Sequence, residues 1–232
     1  MAKRPVFVPM QHAPFFRPVE ITFEWHGGFA KVQSQKNIRA IHEGFSRICP
    51  EIPVLEISSK GWQEGSEVLS AFHMTKFVPK LGRSVPIECI YQAGKVFQNN
   101  GAHPDWLKLT PKEAKKLAKQ LGTVEQIVGY EFEGKRFPLA PVSLFYNYIW
   151  INGLLENHAL ANIVLQYGAF TDIIFSPRSV NCQAAAAAAF VSLNRMGMLE
   201  QVKSAESFYK LMTDEEYVND LMAMKTKKVA EE

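Results

Sequence analysis

The sequence predicts an α+β protein, predominantly helical, with small β elements, and three observations carry that prediction. Strict apolar–polar alternation is confined to short runs such as VEITFEW at residues 19–25, which is strand spacing. Longer segments place apolar residues at helical intervals, as Ile38, Ile41, Phe45 and Ile48 do in QKNIRAIHEGFSRI. Strands and helices do not alternate one for one, which argues against a doubly wound parallel sheet.

At the start, Pro5, Pro9, Pro14 and Pro18 favour extended backbone. The strand at 19–25 ends at Gly27-Gly28, and CPEIP stops the helix at 35–48. VLEISS, residues 54–59, reads as a second strand. Residues 61–84 read as loop, punctuated by Gly61, Gly65, Pro79 and Gly82. IECIYQAGKVF, residues 87–97, reads as one helix. Thr110 as N-cap and Pro111 in the first turn open a basic surface helix at 109–122. IVGYEFEGKRFPL predicts two strands about the turn Glu133-Gly134. Residues 143–167 form an apolar helical region broken near Asn157. FTDIIFSPRS leads into an alanine-rich helix that Gly197 ends. Two charged helices close the chain, and KTKKVAEE reads as a frayed tail.

With 232 residues, 47% of them hydrophobic and 21% charged, the chain can bury a sizeable core as one large domain. A net charge of +3 and a pI near 8.7 suit a phosphate-bearing ligand without requiring nucleic acid. Cys49, Cys89 and Cys182 are far apart and form no CxxC pair, so neither a disulfide framework nor a zinc knuckle is indicated. A reducing cytoplasm fits them. The histidines form no metal-like cluster, and no metal ligand is assigned. The sequence holds no signal-peptide pattern and no apolar stretch long enough to span a membrane. Dinucleotide, Walker, GxSxG and HExxH motifs are absent.

The helix read at 87–97 carries a polar stripe. Residues three, four and seven apart share a helical face, so Glu88, Gln92 and Lys95 line up, with Tyr91 at their edge. One reading is a structural ion pair or a solvated stripe. The other is a pocket wall that sets a carboxylate beside an amine, an arrangement that shifts pKa values and serves acid–base or Schiff-base chemistry.

The order of LEISS, LSAF at residues 69–72 and IECIYQAGKVF resembles the NADAR family, the NAD- and ADP-ribose-associated domains. Members carry a strand ending in small polar residues, an FSNF-like loop and a helix reading roughly S-E-H-Y-F-Q-A-Q-K-F. Glu88, Tyr91, Gln92, Ala93 and Lys95 match the helix, with the aromatic one place late at Phe97. YGAFTDI and SVNCQAAAAAAFVSLNRMG are similar to the family's aromatic-plus-aspartate turn and its Asn-led helix. The sequence departs at Ala71, where the loop asparagine stands in the family, and at Thr171-Asp172-Ile173, where Trp-Gly after the aspartate is missing. The whole chain looks most like the DarT-associated NADAR antitoxins. The resemblance implies a catalytic core at 54–199, an N-terminal extension at 1–53 packed on it, and C-terminal helices and tail at 200–232.

What the resemblance implies chemically is removal of ADP-ribose from guanine bases in DNA, countering a DarT toxin, with ADP-ribose as product and no cofactor. Lys95 would be the nucleophile, Glu88 its partner and Asp172 the second carboxylate. Ser70 and Phe72 would line the ribose side, with Ser58 and Ser59 as weaker candidates, and Tyr91 and Gln92 would complete the wall. The residues themselves leave alternatives open. Asp172 also suits an Asx turn. Asn181 could cap a helix or help bind a pyrophosphate. Arg178 could meet a phosphate or sit on the surface. Trp62 could stack on a base or anchor its loop. Lys112, Lys115, Lys116 and Lys119 form either a nucleic-acid-facing patch or a solvated helix face. From a different class, a non-catalytic module that binds ADP-ribose or the toxin is the alternative.

Overall fold

The computed structural model describes residues 1–28, 30–175 and 182–213. Arg178, Asn181 and the KTKKVAEE tail lie outside the described residues. The architecture is α+β, with helices packed around three small sheets.

The proline-rich start forms a hairpin of β1 (Ala2–Pro9) and β2 (Phe16–Phe23), paired from Ala2↔Phe23 to Pro9↔Phe16. Val6, Val8, Ile21 and Phe23 alternate inward and pack on Ile38, Ile41 and Phe45 of α1 (Lys31–Ser46). This helix stops two residues before Ile48, which is therefore 61% exposed and not part of the apolar face. β1 touches β9 (Ala169–Thr171) at Phe7↔Phe170, and β9 runs parallel to β3 (Val54–Glu56). The sheet order β2-β1-β9-β3 thus joins residues 1–53 to the remainder through main-chain pairing.

The segment read as loop holds a second hairpin, β4 (Thr75–Val78) and β5 (Arg83–Pro86), turning through Gly82 at φ 61°. It leads directly into α2 (Ile87–Ala93). The sequence reading of one helix over 87–97 is corrected here: after Gly94 the chain becomes β6 (Lys95–Phe97), antiparallel to β7 (Ile127–Phe132). Gly94 is a poor helix former, and Val96 and Phe97 favour a strand. The Glu131 N–H donates to Gly94 O at 2.7 Å, which captures the chain for the sheet. β8 (Lys135–Phe137) completes that sheet through the expected turn, where Glu133 and Gly134 have φ of 52° and 77°. Two successive positive φ values match the twist of a tight hairpin.

α3 (Pro111–Leu121) begins with a capping box. Thr110 Oγ1 accepts from Glu113 N, while Glu113 Oε2 accepts from Thr110 N. α4 (Leu144–Leu155) is buried on all sides, and Asn157 separates it from α5 (His158–Leu165), as read from the sequence. α6 (Gln183–Arg195) runs beside it with alanines 184–189 buried, and their small size lets the helix lie close to α4 and β1. Gly197, at φ 69°, follows α6, and the charged helices α7 (Leu199–Lys203) and α8 (Ala205–Met212) come next. Among the described residues, no helix is long and apolar enough to cross a membrane.

Space at the α2–β6 junction is tight. A Cβ at Gly94 would lie 2.7 and 2.8 Å from the ring of Phe145, itself fully buried, and 3.0 Å from Glu131 O. Gly94→Ala should therefore destabilise the fold by about 1–3 kcal/mol, read as a lower urea midpoint. An unchanged midpoint would mean that this junction is loosely packed.

Candidate functional site

A cavity of about 260 Å³ opens where α2, α3, α4 and α6 meet the turn after β9. α2 presents Glu88, Tyr91 and Gln92 to it, and the 69–72 loop presents Ser70, Ala71 and Phe72. Ser59 and Asp172 complete the residues named from sequence that line it. The loop is held by its main chain: Glu88 N–H donates to Ala71 O at 2.8 Å, and Ala71 N–H donates to Gln183 Oε1 at 2.9 Å. The family asparagine is absent at Ala71, yet both backbone groups of that residue are engaged.

Glu88 is buried at the start of α2, where the helix dipole favours a carboxylate. Its Oε1 accepts from Gln92 Nε2 at 2.8 Å and lies 3.5 Å from Lys115 Nζ. Lys115 is 58% exposed at the side chain and also sits over the Phe72 ring, 5.2 Å from its centroid. The basic helix α3 thereby reaches into the cavity through one lysine, a role the composition of α3 alone did not single out. With Nε2 committed to Glu88, Gln92 Oε1 is buried and has no partner among the described residues. A buried acceptor facing a cavity suits a ligand hydroxyl.

Lys95 reaches this neighbourhood from β6, so the helical stripe inferred from spacing does not exist as one face. Its Nζ lies 4.9 Å from the centroid of the Tyr91 ring, behind the cavity wall, and Lys95 is not itself among the lining residues. Burial lowers its pKa from 10.5 to about 8; the charge of Glu88 opposes the shift and that of Lys115 assists it. Tyr91 is fixed by stacking near Phe145, by an edge contact to Tyr146, and by its hydroxyl 3.2 Å from that of Tyr130.

Asp172 realises both of its readings. Its Oδ1 accepts from Ile174 N at 3.0 Å and Phe175 N at 3.2 Å, an Asx turn, while the carboxyl faces the cavity. Burial first, then the charge of Glu56, raise its pKa to about 8. Glu56, Gln183 and Tyr146 were not among the residues singled out from the sequence. Gln183 Nε2 donates to Ile57 O at 2.6 Å, so this one amide joins the 69–72 loop to the end of β3. A glutamate inside the apolar strand VLE was the available signal for Glu56, and the first position of the alanine-rich helix was the signal for Gln183. Trp62 lies outside the cavity, 42% exposed, with its ring 6.0 Å from that of His42 and 4.8 Å from the Arg39 guanidinium carbon. The described residues hold no cluster of His, Cys, Asp and Glu able to bind a metal ion.

A family model described as DarT1-associated NADAR antitoxin matches residues 2–221, and the chain belongs to that family. A search of curated proteins returned no match.

Because Glu88 holds the Lys95 pKa up, Glu88→Gln should lower it below about 8. Titrating the Lys95 side-chain carbon signal by NMR checks this, and a rise or no change would remove Glu88 from the tuning of that amine. The contribution of Lys95 alone, read as the stability difference between the wild type and Lys95→Met, should increase with pH between about 8 and 10.5, since there the unfolded chain binds the proton that folded Lys95 lacks.

Proposed function

We propose that this antitoxin is an ADP-ribosyl glycohydrolase that removes ADP-ribose from guanine bases in DNA and so reverses the modification made by a DarT-type toxin. The observation carrying the reading is a cavity that holds the carboxyl groups of Glu88 and Asp172, with Lys95, an amine tuned towards neutrality, against the Tyr91 ring of its wall. A free amine is the form of lysine that attacks carbon, and burial supplies it near neutral pH.

The bond to be cleaved joins C1 of the distal ribose to a guanine nitrogen. Opening of the ribose ring makes that carbon an iminium carbon. Lys95 Nζ adds to it, the guanine amine departs with a proton from an acid group, and a lysine Schiff base remains. Water then adds, the lysine is released, and the freed ADP-ribose recloses, one water having been consumed. Glu88 would shuttle the proton, and Asp172 would hold the ribose or supply a second proton. Ser59, Ser70 and the free Gln92 Oε1 would meet ribose hydroxyls.

At about 260 Å³ the cavity is below the roughly 300–1,000 Å³ that encloses a drug-sized ligand. It would therefore hold the distal ribose, with the rest of the ligand over the rim. Phe72 and Lys115 at that rim would take a base and a phosphate, and Arg178 and Asn181 would take phosphate. A ligand leaving past Ser59 would meet Trp62 and Arg39. The nucleic-acid strand would follow α3, where Lys112, Lys116 and Lys119 are exposed on one face.

Lys115 is the rival nucleophile, because it lines the cavity itself. Borohydride reduction during turnover of an oligonucleotide carrying ADP-ribosyl-guanine decides between the two lysines. The expected adduct maps to Lys95, and folded Lys95→Ala releases no ADP-ribose. An adduct on Lys115 would transfer the role. Saturable ADP-ribose binding without turnover by the wild type would make the protein a binding module.

Removing Lys112, Lys116 and Lys119 together should leave hydrolysis of ADP-ribosyl-guanosine unchanged. On the oligonucleotide, the slope of log kcat/KM against log salt should become shallower by roughly 2, at about 0.7 per phosphate contact on a single strand. An unchanged slope would place the strand elsewhere.

A further inference from the structure

Two carboxyl groups, the fully buried Glu56 and the half-buried Asp172, stand where β3 meets β9, and among the described residues neither pairs with a lysine or arginine. Glu56 Oε1 accepts from Ser58 Oγ at 2.6 Å and from Ile173 N at 2.9 Å, and its Oε2 accepts from Thr171 Oγ1 at 2.6 Å. Thr171 and Ile173 flank Asp172, so Glu56 is bonded to both neighbours of the second carboxyl. Thr171 Oγ1 also lies 2.8 Å from His42 Nε2. Three donors converging on one carboxyl suit its ionised, acceptor-only form. Asp172 accepts main-chain N–H groups through Oδ1 only, and its carboxyl has a face on the cavity, where an O–H can meet a ligand.

Two ionised carboxylates in one low-dielectric junction repel, and such a pair retains a proton. We propose that Glu56 and Asp172 carry one negative charge between them at neutral pH, with the charge on Glu56 and an acid O–H on Asp172 facing the cavity. Glu56 is then a positioning residue: it touches no substrate, and it sets the protonation state of the group that does.

The surroundings are consistent with this placement. Burial raises the carboxyl of Glu56, and hydrogen bonds from Ile173, Ser58 and Thr171 oppose that rise. On α1, burial pushes His42 down to about 4, so it supplies no cation at neutral pH. Tyr146 on α4 and Cys182 ahead of α6 face Asp172, and burial raises both well above their ordinary values, which keeps them neutral. Glu88 on α2 and Lys115 on α3 line the same cavity and are paired with each other. Gln183 works the other way, its amide opposing the rise of the Asp172 pKa as the Ile174 and Phe175 N–H groups do, and burial with the Glu56 charge outweighs all three. The Gln183 Oε1 faces the Ala71 N–H, which leaves Nε2 for Ile57 O and Asp172.

This inference rests on the proposed reaction only for its chemical use, so its test reads the proton directly. Infrared difference spectra of the full chain, followed across pH, report the C=O band of a protonated carboxyl whether or not the protein turns over substrate. The expected result is a band present at neutral pH, absent in Asp172→Asn, and lost as pH rises through about 8. In Glu56→Gln the Asp172 band should titrate at least about one unit lower. Thr171→Val, which withdraws one donor from Glu56, should shift it the same way by less and serves if Glu56→Gln does not fold. A band that survives in Asp172→Asn would put the proton on Glu56 and overturn the proposal. So would no band at neutral pH in the wild type, or an Asp172 titration unmoved in the folded variants. With an active enzyme, Glu56→Gln should also carry the alkaline limb of kcat/KM to lower pH. A normal infrared result in a protein without turnover would defeat the hydrolase reading and leave the shared proton standing.

Discussion

The demand made by one buried carboxyl, that of Glu56, organises the site. A carboxyl inside a sheet is costly unless hydrogen-bond donors surround it. Here the donors come from two chain segments far apart in sequence: Ser58 just past β3, and Thr171 and Ile173 at the end of β9. Satisfying Glu56 therefore fixes how β9 ends, and the end of β9 fixes where Asp172 stands. The parallel pairing of Val54–Glu56 with Ala169–Thr171 brings the segments together, and the polar knot gives their junction a single geometry. Structural and chemical roles share these residues, because the group that closes the sheet also sets the electrostatics of the cavity.

A second constraint acts from the opposite wall. α2 is only seven residues long, and Gly94 turns the chain at its end into β6. Glu88 and Gln92 reach the cavity from the helix, while Lys95 approaches behind Tyr91 from the strand. Had the helix continued, Lys95 would have stood two turns from Glu88 on the same helical face. Placed in β6 against an aromatic ring, the amine loses hydration, and lost hydration is the first cause of its lowered pKa. The local sequence break is thus tied to the chemistry.

Features set by near neighbours were legible in the sequence. Thr110 and Glu113 form their capping box, Glu133-Gly134 makes the hairpin turn, and Asn157 breaks the apolar helix, because each depends on residues a few positions apart. The family motifs led to Glu88, Gln92, Ser70, Phe72 and Asp172, all of which the fold brings to one cavity. What was not legible depended on distant partners. The strand at Lys95–Phe97 exists because β7 captures it thirty residues later, whereas the periodicity of residues 87–97 alone favoured a helix. Glu56, Gln183 and Lys115 acquire their positions from segments up to 117 residues away, and no spacing rule connects them.

The two tuned groups also constrain each other. In the proposed reaction Lys95 would attack only once it has lost its proton, so its competent fraction grows as pH rises towards and beyond about 8. Asp172 would serve there as a hydrogen-bond or proton donor only while it keeps its proton, so its competent fraction falls as pH rises through about 8. Burial is the first cause in both cases, and it moves the two groups in opposite directions because it disfavours whichever form is charged. A base brought down and an acid brought up meet near the same pH. Had burial acted on only one of them, amine and acid would rarely coexist: an unshifted lysine would be almost wholly protonated wherever the acid kept its proton, and an unshifted aspartate would be ionised wherever the amine was free. The coexistence of both forms near neutrality follows from desolvating the two groups together, with Glu88 opposing the shift of the amine and Glu56 adding to that of the acid.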